Sequence, residues 1–378
     1  MSSSTASRPP GSSPPDPTPS PDSPVPVRVR EPAGLVAALP ALLGFHPRES
    51  LVLIATGGES GRRLGLTLRV DLPAPLHLDA VSTAAAESLL TGDPRGAAVI
   101  VLTDPAAPAA APRPRGPGRS PRTASGALPR TDVAEATAEA LRDHGVEVHT
   151  MLWAASTDGG AAWACYGDCG CRGYLPDPSA TEFAAAAAVA GTVVYADRRE
   201  LARLVTPDAA EVLQRRDRLL TAQVRGALAG PDPGAADSTA AGVALLDAVI
   251  GDAAAGRLVL DDQLVVALTR ALAVPAVRDR ALAWCAGPRA AAAEQLWAAL
   301  ARGTPPPEVA EPAALLAVSA LLRGNGALAN IALDRAEQAW PAHRLTALLR
   351  AATDVRMSPA RLRECLLSAR PDEPGDPL

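Results

Sequence analysis

Residues 50–72 read SLVLIATGGESGRRLGLTLRVDL. The first seven, Ser50–Thr56, are a continuous apolar run of strand length, the pattern of a strand covered on both faces. Gly57, Gly58 and Gly61 then interrupt it. Beyond them Leu64, Leu66, Leu68, Val70 and Leu72 alternate with Gly65, Thr67, Arg69 and Asp71. A period of two puts the apolar set on one face of a strand. Together the two runs predict an antiparallel hairpin.

Working outward, Leu35, Leu39, Leu42 and Leu43 recur at helical spacing, and Gly44 is placed to end that helix. Pro40 inside it predicts a kink or an early end. After the hairpin come a helix over 79–90, an apolar strand over 97–102, a helix over 131–144 and a strand over 147–153. Thr131 or Asp132 is the expected N-cap of the second helix, with Glu135 near the capping-box position. Asp158-Gly159 turns the chain into a partner strand over 160–166. Strands alternating with helices, and paired partly as hairpins, predict an α/β N-terminal domain with a mixed sheet. From Thr181 the pattern is helical, including 207–228, 238–255 and 261–273, so an all-α C-terminal domain follows. Around Gly324 the small residues Ala329 and Ala336 fall at +5 and +12, with Pro341 at +17. Around Gly287 the same offsets give Ala292 and Ala299, with Pro305 one place late. Small residues at fixed offsets let antiparallel helices pack closely, which predicts helical-hairpin repeats of tetratricopeptide type.

The expected organisation is a disordered Pro/Ser-rich tail over 1–30, an α/β domain over 31–205, a helical domain over 206–368 and a flexible tail over 369–378. Residues 105–130 hold five arginines and many prolines with no acidic residue after Asp104, and read as a disordered insertion.

Composition removes several chemistries. All 36 Lys+Arg positions are arginine, so there is no P-loop lysine, no Schiff-base amine and no Ser–Lys pair. A formal charge of −5 and 3% aromatic content argue against a nucleic-acid surface. No apolar run is long enough to span a bilayer, and neither a basic n-region nor an apolar h-region opens the chain. Five cysteines, an odd number, fit reduced thiols better than a disulfide framework. A cytoplasmic protein is expected.

The segments LPALLGFHPRESLVLI (39–54), RRLGLTLRVDLP (62–73), ADRREL (196–201) and GALANIALDRA (326–336), with Trp163 ahead of a cysteine cluster, carry a resemblance. On them the chain resembles the actinobacterial family called domain of unknown function 4192, over roughly residues 32–350. The resemblance implies a bacterial, cytoplasmic setting and supplies no activity or catalytic residue. The cysteine region departs from it: family members often carry adjacent cysteines before a proline, where this chain reads Cys169-Gly-Cys171-Arg-Gly.

Three constellations could carry chemistry. His46 and Arg48 lie where a helix end meets a strand, and Arg69 and Asp71 project from one face of the next strand; His46, Arg69 and Asp71 would converge on an anionic or polar ligand. The bland reading is a His-Pro turn with an Arg–Asp pair for stability. Cys165, Cys169 and Cys171 have a spacing that can chelate zinc, with His149 or His144 as fourth ligand, or form a labile disulfide; otherwise they are reduced cysteines packed near Trp163. Asn330, Asp334 and Arg335 on the terminal hairpin could bind a partner peptide, or form a solvated face with a modest ion pair. No GxSxG, HExxH, GxGxxG or EF-hand pattern occurs. The leading reading is a binding or scaffold module with a ligand pocket in the α/β domain. It has no assigned resident cofactor, takes a protein partner or a second copy, and avoids nucleic acid and membrane. The alternatives are a hydrolase or transferase acting on a small anionic substrate through His46, Arg69 and Asp71, and a metal- or thiol-based sensor built on the cysteines.

Overall fold

The computed structural model describes residues 31–58, 63–92, 94–105, 128–189, 193–229, 235–355 and 357–368. The expected tails and most of the 105–130 insertion lie outside them. Six strands form one mixed sheet: β1 (Ser50–Gly57), β2 (Arg63–Asp71), β3 (Gly96–Leu102), β4 (Glu147–Ala154), β5 (Ala162–Cys165) and β6 (Arg172–Tyr174), in the order β2-β1-β3-β4-β5-β6. β3 and β4 run parallel and the other neighbours antiparallel. The hairpin read from residues 50–72 is thus present, but Leu64 leaves the alternation. Ile54 faces Thr67 while Thr56 faces Leu64, so β2 carries an extra residue beside Gly65. Such a bulge reverses which face the next side chain takes, and Leu64 packs apart from Leu66, Leu68 and Val70.

Before the sheet lie α1 (Pro32–Ala37) and α2 (Leu39–Leu43), broken at Ala38 as Pro40 foretold, with Gly44 closing α2 at φ 80°. α3 (Leu78–Leu90) precedes β3, and α4 (Thr131–Asp143) joins β3 to β4. The N-cap of α4 is Arg130, at φ 51°, and neither Thr131 nor Asp132 caps it. Thr131 Oγ1 instead donates to the Leu128 carbonyl (2.8 Å), and the Arg130 guanidinium takes Asp132 (3.2 Å). Those bonds hold both side chains away from the helix's free N–H groups.

The remainder is helical: α5 (Glu182–Val189), α6 (Arg198–Ala202), α7 (Ala210–Ala229), α8 (Ala235–Ala254), α9 (Asp262–Leu272), α10 (Pro275–Ala286), α11 (Ala290–Gly303), α12 (Ala310–Leu322), α13 (Gly326–Ala339), α14 (Arg344–Asp354) and α15 (Pro359–Ser368). α12 and α13 form a hairpin about Gly324, whose φ of 75° suits glycine. Ala329 and Ala336 are fully buried, and this pair has the most extensive helix–helix packing. α10 and α11 form a second hairpin about Gly287, with Ala292 buried and Ala299 half-buried.

The sheet divides the apolar side chains by parity. Leu51, Leu53, Ala97, Val99 and Val101 meet Leu78, Ala85 and Leu89 of α3 and Val133 and Leu141 of α4. Val52, Ile54, Ala98, Ile100, Leu102 and Leu152 belong to a second cluster. That cluster continues through Leu35, Val36 and Leu39, through Leu201 and Val205, and into α8–α13. The apolar interior therefore crosses residue 205 without a gap.

One buried cation helps lock the helices. Arg216 on α7, 7% exposed, donates to Asp262 (2.8 Å), Asp208 (3.0 Å) and the Gly303 carbonyl (2.8 Å). Deleting the guanidinium leaves the Gly303 carbonyl buried without its donor and Asp208 without this partner, while Asp262 keeps Arg215. Arg216→Ala is expected to cost about 2 kcal/mol in urea unfolding; a loss under about 1 kcal/mol, the range of an exposed pair, would contradict this role.

Candidate functional site

Because β3 and β4 are parallel, their carboxyl ends share one edge of the sheet, where open α/β sheets commonly bind ligands. Ser50 pairs with Asp71 on one side and Leu102 on the other, and Leu102 pairs with Ala154. This row places residues 46–49, 71, 103–104 and 155–158 along the same edge, including three of the four site residues read from the α/β sequence, while Arg69, opposite Val52, reaches it through its bond to Ser50. The loop leading to it is pinned by residue 195: the Tyr195 N–H donates to the Gly44 carbonyl (2.8 Å) and the His46 N–H to the Tyr195 carbonyl (3.1 Å).

The four residues divide into two pairs. His46 Nδ1 lies 2.9 Å from Thr157 Oγ1 and 3.8 Å from Asp158, and the Arg48 guanidinium lies 4.0 Å from Asp158. Arg69 pairs with Asp71 (2.5 Å) and donates to Ser50 Oγ (2.8 Å). The Arg48 carbonyl joins the pairs, accepting from Ser50 Oγ (2.6 Å) and more weakly from Arg69 (3.4 Å). Sequence reasoning missed Thr157 and Asp158, which lie 111 and more residues away, and it missed Glu49. Glu49 sits at φ 42°, a left-handed conformation that a residue with a Cβ rarely takes. Its carboxylate accepts from Thr103 Oγ1 (2.9 Å) and from the Asp104 N–H (3.1 Å), while its carbonyl accepts from the Leu72 N–H (3.0 Å). Three tertiary bonds thus hold a strained backbone at the centre of the edge.

The cysteines gather on the β5–β6 hairpin. The Cys165 N–H donates to the Cys171 carbonyl (2.8 Å), and Gly170 turns the chain at φ 65°. The three sulfurs lie within 4.8 Å of one another; Cys165 is half-buried, and Cys169 and Cys171 are exposed. The Cys171 thiol, then its backbone N–H (3.4 Å), holds the Cys169 thiol below its ordinary range. Burial first, then Cys169, pushes Cys165 up to about 12, and the Cys169 bond with burial raises Cys171. No histidine belongs to this group among the described residues. His149 sits instead over Gly96 of β3, with Nδ1 3.7 Å from Glu147.

On the terminal hairpin, Arg350 of α14 occupies the polar face read from the sequence. It donates to Asn330 (3.0 Å) and to Glu337 (2.8 and 3.0 Å), and it pairs with Asp334. Arg335 is half-buried; burial lowers its pKa, and its Nε and Nη2 have no hydrogen-bond partner among the described residues. No helix among the described residues is long and apolar enough to cross a membrane.

A family model described as Domain of unknown function (DUF4192) matches residues 32–360. Neither the curated proteins nor the solved structures include a match.

Strain at Glu49 has a measurable signature. Glycine usually costs more than alanine in regular structure, but at positive φ the order reverses. Both Glu49→Ala and Glu49→Gly lose the carboxylate bonds, and only the alanine variant keeps a Cβ. Urea unfolding is expected to find Glu49→Ala less stable than Glu49→Gly by about 1 kcal/mol; equal stabilities, or the opposite order, would contradict the strain.

Proposed function

The chain belongs to this family of unknown function, and on that premise we propose that it is a binding module taking a small anionic or polar ligand at the carboxyl edge of β3 and β4. The observation that carries the reading is Arg48. Arg69 is spent on Ser50 and Asp71, but Arg48 is 67% exposed and holds Asp158 only at 4.0 Å. A guanidinium with a loose partner can turn to an incoming carboxylate or phosphate in a two-point contact. His46, beside it and a quarter exposed, supplies a second polar contact.

Catalysis by a hydroxyl nucleophile fits this edge less well. His46 and Thr157 are within proton-transfer distance, yet Thr157 is 1% exposed, so a substrate carbonyl cannot approach its oxygen. We read the two C-terminal hairpins as tetratricopeptide-like units offering a surface to a protein partner or a second copy, supported by the small residues at their packed positions. We place the protein in the cytoplasm of an actinobacterium, a reading supported by the family resemblance and by the five free thiols.

Thermal unfolding of the full chain with millimolar inorganic phosphate, and separately with succinate, tests the ligand site. At least one anion is expected to raise the melting temperature of the natural sequence, and Arg48→Ala is expected to remove most of that rise. No rise with either anion, or the same rise in Arg48→Ala, would refute the site.

A further inference from the structure

The ligand edge leaves the cysteine hairpin unexplained, and its geometry points elsewhere. We propose that Cys165, Cys169 and Cys171 form a three-thiolate site for a thiophilic d10 cation, Zn²⁺ or Cu⁺, with the remaining coordination position open to solvent.

The argument begins with spacing. A metal held at about 2.3 Å from each thiolate sets the sulfurs roughly 3.8 Å apart. Sulfurs already within 4.8 Å of one another need a shift of about an ångström or less to close on an ion. Chance does not keep three thiols there, because the backbone does so independently of any metal. Cys165 is fixed by the pairing of β5 with Leu152 of β4 and by its N–H bond to the Cys171 carbonyl. Tyr166 anchors the start of the loop, its hydroxyl donating to the Pro129 carbonyl (2.6 Å). Gly170, at positive φ, returns the chain so that Cys169 and Cys171 meet Cys165.

Donor type selects the ion. Three sulfurs with no histidine in the group exclude calcium and magnesium and favour soft cations. The Cys171 N–H directed at Cys169 Sγ is the kind of outer hydrogen bond that stabilises a metal-bound thiolate. Binding makes three metal–sulfur bonds, breaks three S–H bonds and releases three protons to solvent, with no change of oxidation state. Exposure of Cys169 and Cys171 leaves the ion reachable by water, by an external thiol or by a donor on a partner. This is the arrangement of an exchangeable site rather than a closed structural one.

The test uses the full chain, reduced and free of oxygen, titrated with Co²⁺ as a spectroscopic stand-in for Zn²⁺. A separate titration uses Cu⁺ against a chromophoric chelator. One equivalent is expected to bind in at least one titration, with thiolate-to-metal charge-transfer absorption for Co²⁺ that Zn²⁺ abolishes. Cys169→Ser and Cys171→Ser, both at exposed positions, are expected to weaken binding more than tenfold with an unchanged circular dichroism spectrum, while Cys365→Ser binds normally. A Co²⁺ response displaced by Zn²⁺ identifies the divalent ion, and Cu⁺ uptake alone identifies the monovalent one. Failure of the reduced chain to bind either metal, or full binding in both hairpin variants, would overturn the proposal.

Discussion

The constraint on which the structure depends is that β1 faces two apolar clusters at once. It hydrogen-bonds to β2 and β3 on its two sides, and its alternate side chains enter different clusters. Leu51 and Leu53 lie with α3 and α4, while Val52 and Ile54 lie in the cluster that leads to the helical half. A one-residue slip would exchange the two sets and mismatch both faces. That register also aligns Asp71, Ser50 and Leu102, and the β3–β4 register adds Ala154 to the row that borders the candidate ligand edge.

Polar chemistry has consequently moved to the margins. Charges such as the buried Arg216 and the half-buried Glu294, which pairs with Arg323 at the surface, are spent on holding elements together. Burial raises the Glu294 pKa despite its arginine, so desolvation outweighs the pair there. The carboxyl edge and the β5–β6 hairpin carry groups whose partners are loose or soft: Arg48 in the first, and in the second Cys165 at the end of β5 with Cys169 and Cys171 on the turn after it. A rigid sheet with reactive groups on its connecting loops is the usual division of labour between scaffold and site.

Much of this was legible in sequence because it is local. Apolar runs gave β1 and β3, alternation gave most of β2, and Gly44 and Gly324 marked their turns. Cys165, Cys169 and Cys171 lie within seven positions of one another, so their clustering is local too. What escaped reading depends on distant partners. β6 is three residues with a central glycine, and it is a strand because β5 lies beside it. Leu64 changes face through a bulge that periodicity cannot reveal. Glu49 has no sequence mark of positive φ, since Thr103, Asp104 and Leu72 impose it. The polar face of α13 looked open until Arg350 returned from α14 to occupy it. Each failure is a tertiary bond overriding a local preference.

The central claim is that sheet and helices share one continuous interior and fold as one unit. Native-state hydrogen exchange in sub-denaturing urea, read by mass spectrometry, tests it most directly. Peptides from β1 and β3 and peptides from α11 and α12 are expected to open with the same free energy and the same urea dependence. Helical peptides that open at lower cost and with a shallower urea dependence, while the strands stay protected, would show two separable cores and contradict the account.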